Sequence, residues 1–115
     1  MEIINVTVAG GGTLGSQIAW QTAFNGFNVV VYDAFEKGIE RSKKFHQSFA
    51  DLFLATRGAS QEEIKATFNR LNYTTDLAEA TKDADIISES VPENIEIKKT
   101  KFGKHDLKKR LRKQN

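Results

Sequence analysis

Three glycines and one aspartate carry the chemistry most legible in this chain. Gly10, Gly12 and Gly15 form the pattern G-x-G-x-x-G, and Asp33 lies 18 residues after the third glycine. Each glycine has its own use where a strand turns into a helix. Gly10 permits a tight turn. Gly12 has no Cβ, so a pyrophosphate can approach the backbone. Gly15 lets the helix pack close to the strand. The first-turn N–H groups of that helix have no partner within it and face an anion, helped by the macrodipole. Thr13 and Leu14 stand in that turn and join the glycines as candidate cofactor contacts. A carboxylate at Asp33 can accept hydrogen bonds from both hydroxyls of an adenosine ribose, and it repels a 2′-phosphate. No Arg follows it directly. These residues point to NAD over NADP, with FAD as a lesser alternative because it uses the same turn. The plainer reading is a tight glycine turn in which Asp33 caps the next helix.

The elements around these residues decide between the two readings. Residues 3–9 read I-I-N-V-T-V-A, a short β-branched run suited to a buried parallel strand. Residues 13–24 place Leu14, Ile18, Ala19, Ala23 and Phe24 at helical spacing, and Gly26 is a stop signal. Residues 28–32 read N-V-V-V-Y, a second buried strand closed by Asp33. Strand, glycine turn, helix and strand within about 30 residues make a βαβ unit, which is right-handed and parallel as a rule.

Beyond Asp33, residues 34–57 are polar-rich with a helical apolar pattern (Ile39, Phe45, Phe49, Leu52, Phe53), and Gly58 breaks it. Ser60 and Glu63 have capping-box spacing ahead of Ile64, Phe68 and Leu71. These two segments predict a helical hairpin inserted between strands. Residues 72–75 form a weak strand, and residues 76–82 a short helix with Asp76 as its N-cap. Residues 85–89 form a fourth strand leading into S-V-P-E-N. A further helix can begin after Ile95. The fold expected is α/β: a Rossmann-type parallel sheet, incomplete at about four strands in the order 3-2-1-4, with the hairpin between strands 2 and 3. Strand 4 would then expose an unpaired edge, and the domain would be marginal and prone to aggregate. In such sheets ligands sit at the carboxyl ends of the strands. Residues 88–94 fall there, and Glu93 and Lys98 could reach a ribose or a nicotinamide amide. The competing reading is a polar loop and a solvated helix start.

The composition bounds the function. The chain has 115 residues, 39% hydrophobic and 28% charged, as one soluble globular domain would. It has no cysteine, which excludes disulfides, thiolate catalysis and Cys-ligated zinc. No apolar run approaches the roughly 20 residues of a bilayer span, and the start shows no secretory signal. A cytoplasmic location is expected, with no membrane partner. Charge is uneven. Residues 1–100 hold 10 Lys/Arg and 14 Asp/Glu, a net −4; residues 101–115 hold 7 and 1, a net +6. The expected division is a dinucleotide-binding domain over 1–100 and a basic tail over 101–115. The abrupt change suggests a shifted frame or a truncated gene. A nucleic-acid or anionic-membrane arm is the weaker reading, since no aromatic stacking platform accompanies the basic run.

The run V-A-G-G-G-T-L-G-S-Q-I-A, then Y-D, then I-S-E-S-V-P-E-N resembles the NAD-binding domain of L-3-hydroxyacyl-CoA dehydrogenases, over about residues 1–99. The hairpin of roughly 38 residues between Asp33 and Asn72 is typical of that family, which includes related ketoreductases. The resemblance implies oxidation of an L-3-hydroxyacyl thioester to the 3-keto form with NAD. It places Gly10, Gly12 and Gly15 on the pyrophosphate, Asp33 on the adenosine ribose, and Ser90, Glu93 and Lys98 at the NAD-contacting positions after the fourth strand. Two departures accompany it. Phe49 and Thr56 stand where the family's hairpin has a Ser and a Lys that touch coenzyme A, so a non-CoA 3-hydroxy acid or diketone substrate becomes credible. The family's catalytic His, Glu, Ser and Asn follow a fifth strand, and its helical C-terminal domain forms a homodimer. The sequence stops before them, so no catalytic residue is assigned and the chain alone is expected to bind NAD and turn over nothing. His46 and His105 match neither catalytic position and read as packing or surface histidines.

Overall fold

The computed structural model describes residues 4–91 and 94–99, with backbone alone for 90, 91 and 94–99. The basic tail, His105 and Glu93 lie outside these residues. The order is β1 (Asn5–Ala9), α1 (Thr13–Phe24), β2 (Asn28–Tyr32), α2 (Glu36–Thr56), α3 (Gln61–Arg70), β3 (Leu71–Thr74), α4 (Leu77–Thr81), β4 (Ile86–Val91) and β5 (Asn94–Lys99). The sheet order is β3-β2-β1-β4-β5. β1 pairs in parallel with β2 and with β4, and β2 with β3. That is the expected 3-2-1-4 arrangement.

β5 differs from expectation. A helix was expected after Ile95; instead residues 94–99 return antiparallel along β4, with Val91 opposite Asn94 and Ile86 opposite Lys99. The sequence N-I-E-I-K-K alternates apolar and polar, the period of a strand, and carries two β-branched isoleucines. The edge of β4 is therefore paired.

The alternation of each strand sends side chains to two faces. Val6, Val8, Val29, Val31 and Leu71 are buried on one face against Ala19, Trp20 and Ala23 of α1. Phe53 of α2 and Ile64 of α3 complete this core. Trp20 stands at its centre, with Phe53 edge-on at 5.7 Å and Phe68 at 5.3 Å between ring centroids. α3 begins with both bonds of the capping box between Ser60 and Glu63. Gly58, at φ +67°, lies within the connection that joins the two hairpin helices.

The opposite face carries α4. Asp76 caps it, its Oδ1 accepting from the backbone N–H of Ala78 and Glu79. Thr7 donates its hydroxyl to the Ala80 carbonyl, tying α4 beneath β1. A groove of about 520 Å³ opens beside α4, lined by Asn5, Asn28 and Asn72 among others. Its lining runs from Asn5 and Asn28, at the starts of β1 and β2, to Thr74 at the end of β3. No helix among the described residues is long and apolar enough to cross a membrane.

Candidate functional site

The site begins where β1 ends. Gly10 has φ +118°, a conformation that L side chains rarely adopt, and donates its N–H to the Tyr32 carbonyl at 2.7 Å. The turn is thereby fastened to the last residue of β2. Gly12 is the N-cap of α1. It offers no side-chain cap, and no acidic residue stands in the first turn. The Gly12 carbonyl accepts from the Ser16 N–H at 2.9 Å, which starts the helical ladder. The amides before Ser16 have no carbonyl within the helix to bond. A Cβ built on Gly12 would meet nothing within 4 Å. The end of α1 is thus bare and open, as a bound pyrophosphate requires. Thr13 and Leu14 are exposed beside this space, and Gly15 is buried.

Asp33 follows β2 and is half-buried. Its Oδ2 accepts from the Gly11 N–H at 2.9 Å, and its Oδ1 accepts from the Phe35 N–H at 3.0 Å. One carboxylate therefore joins the glycine turn to the start of α2. The capping reading has substance, since Asp33 does bond next to that helix. It does not use the group up: these are one bond to each oxygen, and an ionised carboxylate offers about four lone-pair sites.

Two glycines outside the three-glycine pattern create the room for this carboxylate. A Cβ on Gly11 would lie 2.6 Å from the Gly38 carbonyl oxygen, and a Cβ on Gly38 would lie 2.2 Å from Asp33 Cγ. Loop, carboxylate and α2 are in mutual contact. Sequence reasoning passed over Gly38. A glycine in the first turn of an otherwise well-patterned helix is its only local signal.

His46, expected to be a packing or surface histidine, is fully buried in α2. Its Nε2 lies 2.8 Å from the Ser16 carbonyl and its Nδ1 2.6 Å from the Tyr73 hydroxyl. A carbonyl can only accept, so Nε2 carries the proton and the Tyr73 hydroxyl donates to Nδ1. Burial holds the His46 pKa below 6.5, against the smaller upward pull of the Ser16 carbonyl. Burial likewise pushes Tyr73 up to about 12. The Ser16 hydroxyl adds hydrogen bonds with the Ser42 hydroxyl at 2.9 Å and the Gly11 carbonyl at 3.4 Å. Ser42 and His46, one turn apart on α2, so grip the first turn of α1.

At the other half of the crevice, Glu89 pairs with Ala9, which places Ser90 at the carboxyl end of β4 next to the glycine turn. Lys98 is on β5 opposite Ile87, three register positions below Ser90. The described backbone brings Ser90 to the rim of the crevice and sets Lys98 lower on the sheet. Phe49, at the position implied for a coenzyme A contact, instead packs inward, 6.5 Å from the Trp20 ring and 6.2 Å from His46. Thr56 is exposed and donates to the Leu52 carbonyl. Among the described residues no group of three or more His, Cys, Asp or Glu side chains could hold a metal ion.

A parallel strand, a bare helix end and a carboxylate on the next strand define a dinucleotide-binding α/β domain of the Rossmann class. Residues 5–112 match the family model described as 3-hydroxyacyl-CoA dehydrogenase, NAD binding domain, a match that runs into the basic segment. The chain belongs to that family, and its cofactor is NAD. It is similar to a probable 3-hydroxybutyryl-CoA dehydrogenase of Bacillus subtilis, 40% identical over 107 residues, 89% of this chain and 35% of that protein. A probable 3-hydroxyacyl-CoA dehydrogenase of Caenorhabditis elegans is 35% identical over 105 residues, 88% of this chain and 35% of that one. The solved structure of a diketoreductase acting on dicarbonyl compounds is 42% identical, with a TM-score of 0.73 over 82% of this chain and 34% of that one. The chain thus spans about a third of the length of the relatives it matches.

Proposed function

We propose that this chain supplies the coenzyme half of an enzyme that interconverts L-3-hydroxyacyl thioesters and their 3-keto forms. The observation that carries the reading is the bare end of α1, with open space at Gly12, beside the Asp33 carboxylate. When bound there, NAD supplies the acceptor for the hydrogen removed from the carbinol carbon. In this reading Gly10, Gly12, Thr13, Leu14 and Gly15 hold the pyrophosphate, with backbone N–H groups as donors. Asp33 accepts the adenosine ribose hydroxyls. Ser90 and Glu93 serve the nicotinamide half; the resemblance puts Lys98 there as well, but its place on β5 opposite Ile87 sets it away from the rim. The acyl substrate and a cytoplasmic setting belong to the same proposal, supported by family membership and by a composition free of cysteine; the homodimer implied for the family is formed by a helical C-terminal domain outside this sequence.

Calorimetry on the 115-residue chain tests the cofactor assignments. NAD binds and NADP does not, and Asp33→Ala weakens NAD binding by about 10- to 100-fold, the range for hydrogen bonds to a charged group. Unchanged affinity in that variant would remove Asp33 from the site.

One observation favours a second reading of the substrate. Phe49 is committed to the ring cluster around Trp20, so it presents no polar group to coenzyme A. A 3-hydroxy acid or dicarbonyl compound without coenzyme A suits that arrangement, and the diketoreductase similarity supports it. Titration of the NADH-loaded chain with acetoacetyl-CoA separates the two. Saturable binding supports the thioester; binding of a dicarbonyl compound without binding of acetoacetyl-CoA supports the smaller substrate.

A further inference from the structure

We propose that Phe35 is the platform on which the adenine ring of NAD stacks. The inference rests on the NAD site proposed above and adds the residue that receives the base.

Phe35 is the N-cap of α2 and is 74% exposed, the most exposed of the large apolar side chains in the description. Both facts run against ordinary preference. N-cap positions favour Ser, Thr, Asp and Asn, whose side chains bond the free amides of the first turn. Phe35 makes no such bond. An isolated exposed apolar residue is common on protein surfaces and needs no explanation by itself. This one is tied to the ribose-binding carboxylate, because its own N–H donates to Asp33 Oδ1 at 3.0 Å. The other oxygen of that carboxylate is on the glycine turn, through Gly11. Phe35 therefore stands at the rim of the crevice, on the side of Asp33 away from the phosphate-binding helix end.

A ribose held on Asp33 fixes where its base can go. The 5′ side of the sugar leads toward the phosphates at Gly12. The base leaves from the anomeric carbon at the other end, toward the start of α2. The residue met there is an exposed aromatic ring. Every nucleobase has a π-face, so a phenyl platform binds adenine by offset stacking and needs no hydrogen-bond readout. The division of labour follows: Asp33 selects the ribose, and Phe35 contributes affinity through the base.

The test uses the full chain with NAD and with ADP-ribose, which keeps the adenosine half and lacks nicotinamide. Phe35→Ala lowers the affinity for both ligands by the same factor, about 5- to 30-fold, with an unchanged circular dichroism spectrum. Phe35→Trp restores the affinity, and its exposed indole is quenched by ADP-ribose, above the background of buried Trp20. Equal NAD affinity in wild type and Phe35→Ala overturns the proposal and leaves the NAD site standing. A loss for NAD without a loss for ADP-ribose also overturns it. Absence of NAD binding in the folded wild-type chain instead defeats the parent reading, and this inference with it.

Discussion

At Gly11 and Gly12, neighbours in sequence, the same added methyl group has opposite consequences. A Cβ at Gly12 enters open space, whereas one at Gly11 runs into the Gly38 carbonyl oxygen at 2.6 Å. Gly12→Ala is expected to fold with a melting temperature close to wild type and to lose most NAD affinity, because the methyl occupies the approach to the helix end. Gly11→Ala is expected to lose about 1–3 kcal/mol of stability, as an overpacked contact with backbone does. Paired melting and calorimetry on the two variants check this. An unstable Gly12→Ala, or a Gly11→Ala with wild-type stability, would contradict the geometry. The three glycines and Asp33 were legible in the sequence because their meaning is local: a turn, an approach and a strand end, all within one βαβ unit. Gly38 was not, because its reason is an aspartate five residues earlier that folds back against it. Phe35 was hidden for a related cause. Its exposure and its link to Asp33 exist only once α2 has started.

Among the elements, the hairpin is the feature that distinguishes this domain, and His46 is where it meets the dinucleotide unit. One imidazole joins α2 to the first turn of α1 and to β3. It is held neutral, so its folded pKa lies below its unfolded one. The unfolded chain then binds the proton more readily. The contribution is complete above pH 6.5, the ordinary value, and is lost as pH falls through the folded pKa. Urea midpoints measured at pH 7.5 and at about pH 5 should drop on the acid side. His46→Gln, which keeps one donor and one acceptor, should flatten that drop. A wild-type midpoint independent of pH across this interval would refute the tautomer and its bonds. The capping box at Ser60 and the Asp76 cap were readable because both are short-range patterns. β5 falls where a helix was expected to begin after Ile95, and its only strand signal is the brief alternation of Ile95 and Ile97. That choice cannot be made locally: a six-residue segment becomes a strand when an unpaired neighbour such as β4 is there to receive it.

For the whole molecule, stability and ligand binding are one equilibrium. The core is concentrated on one face of the sheet, around Trp20, while α4, five residues long, covers the other. NAD binds only the folded chain, so it raises the melting temperature by mass action. At a hundred times Kd the gain is about 2.7 kcal/mol, which for a domain of this size is a shift on the order of 10 °C. Scanning calorimetry with and without NAD measures it, with Asp33→Ala as the control that should lose it. A melting temperature indifferent to saturating NAD would mean that the folded chain has no site. The antiparallel return of β5 also bears on solubility. Pairing with β4 moves the open edge from β4 to β5, and Lys98 and Lys99 in that strand make it a poorer template for a second sheet than β4 would be.

The bare end of α1 has a practical consequence. Free amides of the kind proposed here to hold a pyrophosphate bind other oxyanions as well, so in phosphate- or sulfate-buffered solutions the solvent itself becomes a competitor. An affinity for NAD measured in phosphate buffer is then an apparent one, weakened in proportion to the buffer concentration, and the value in a bulky zwitterionic buffer is the tighter of the two. Wherever inorganic phosphate is present, competition at those amides lowers the share of this domain that carries NAD at a given NAD concentration.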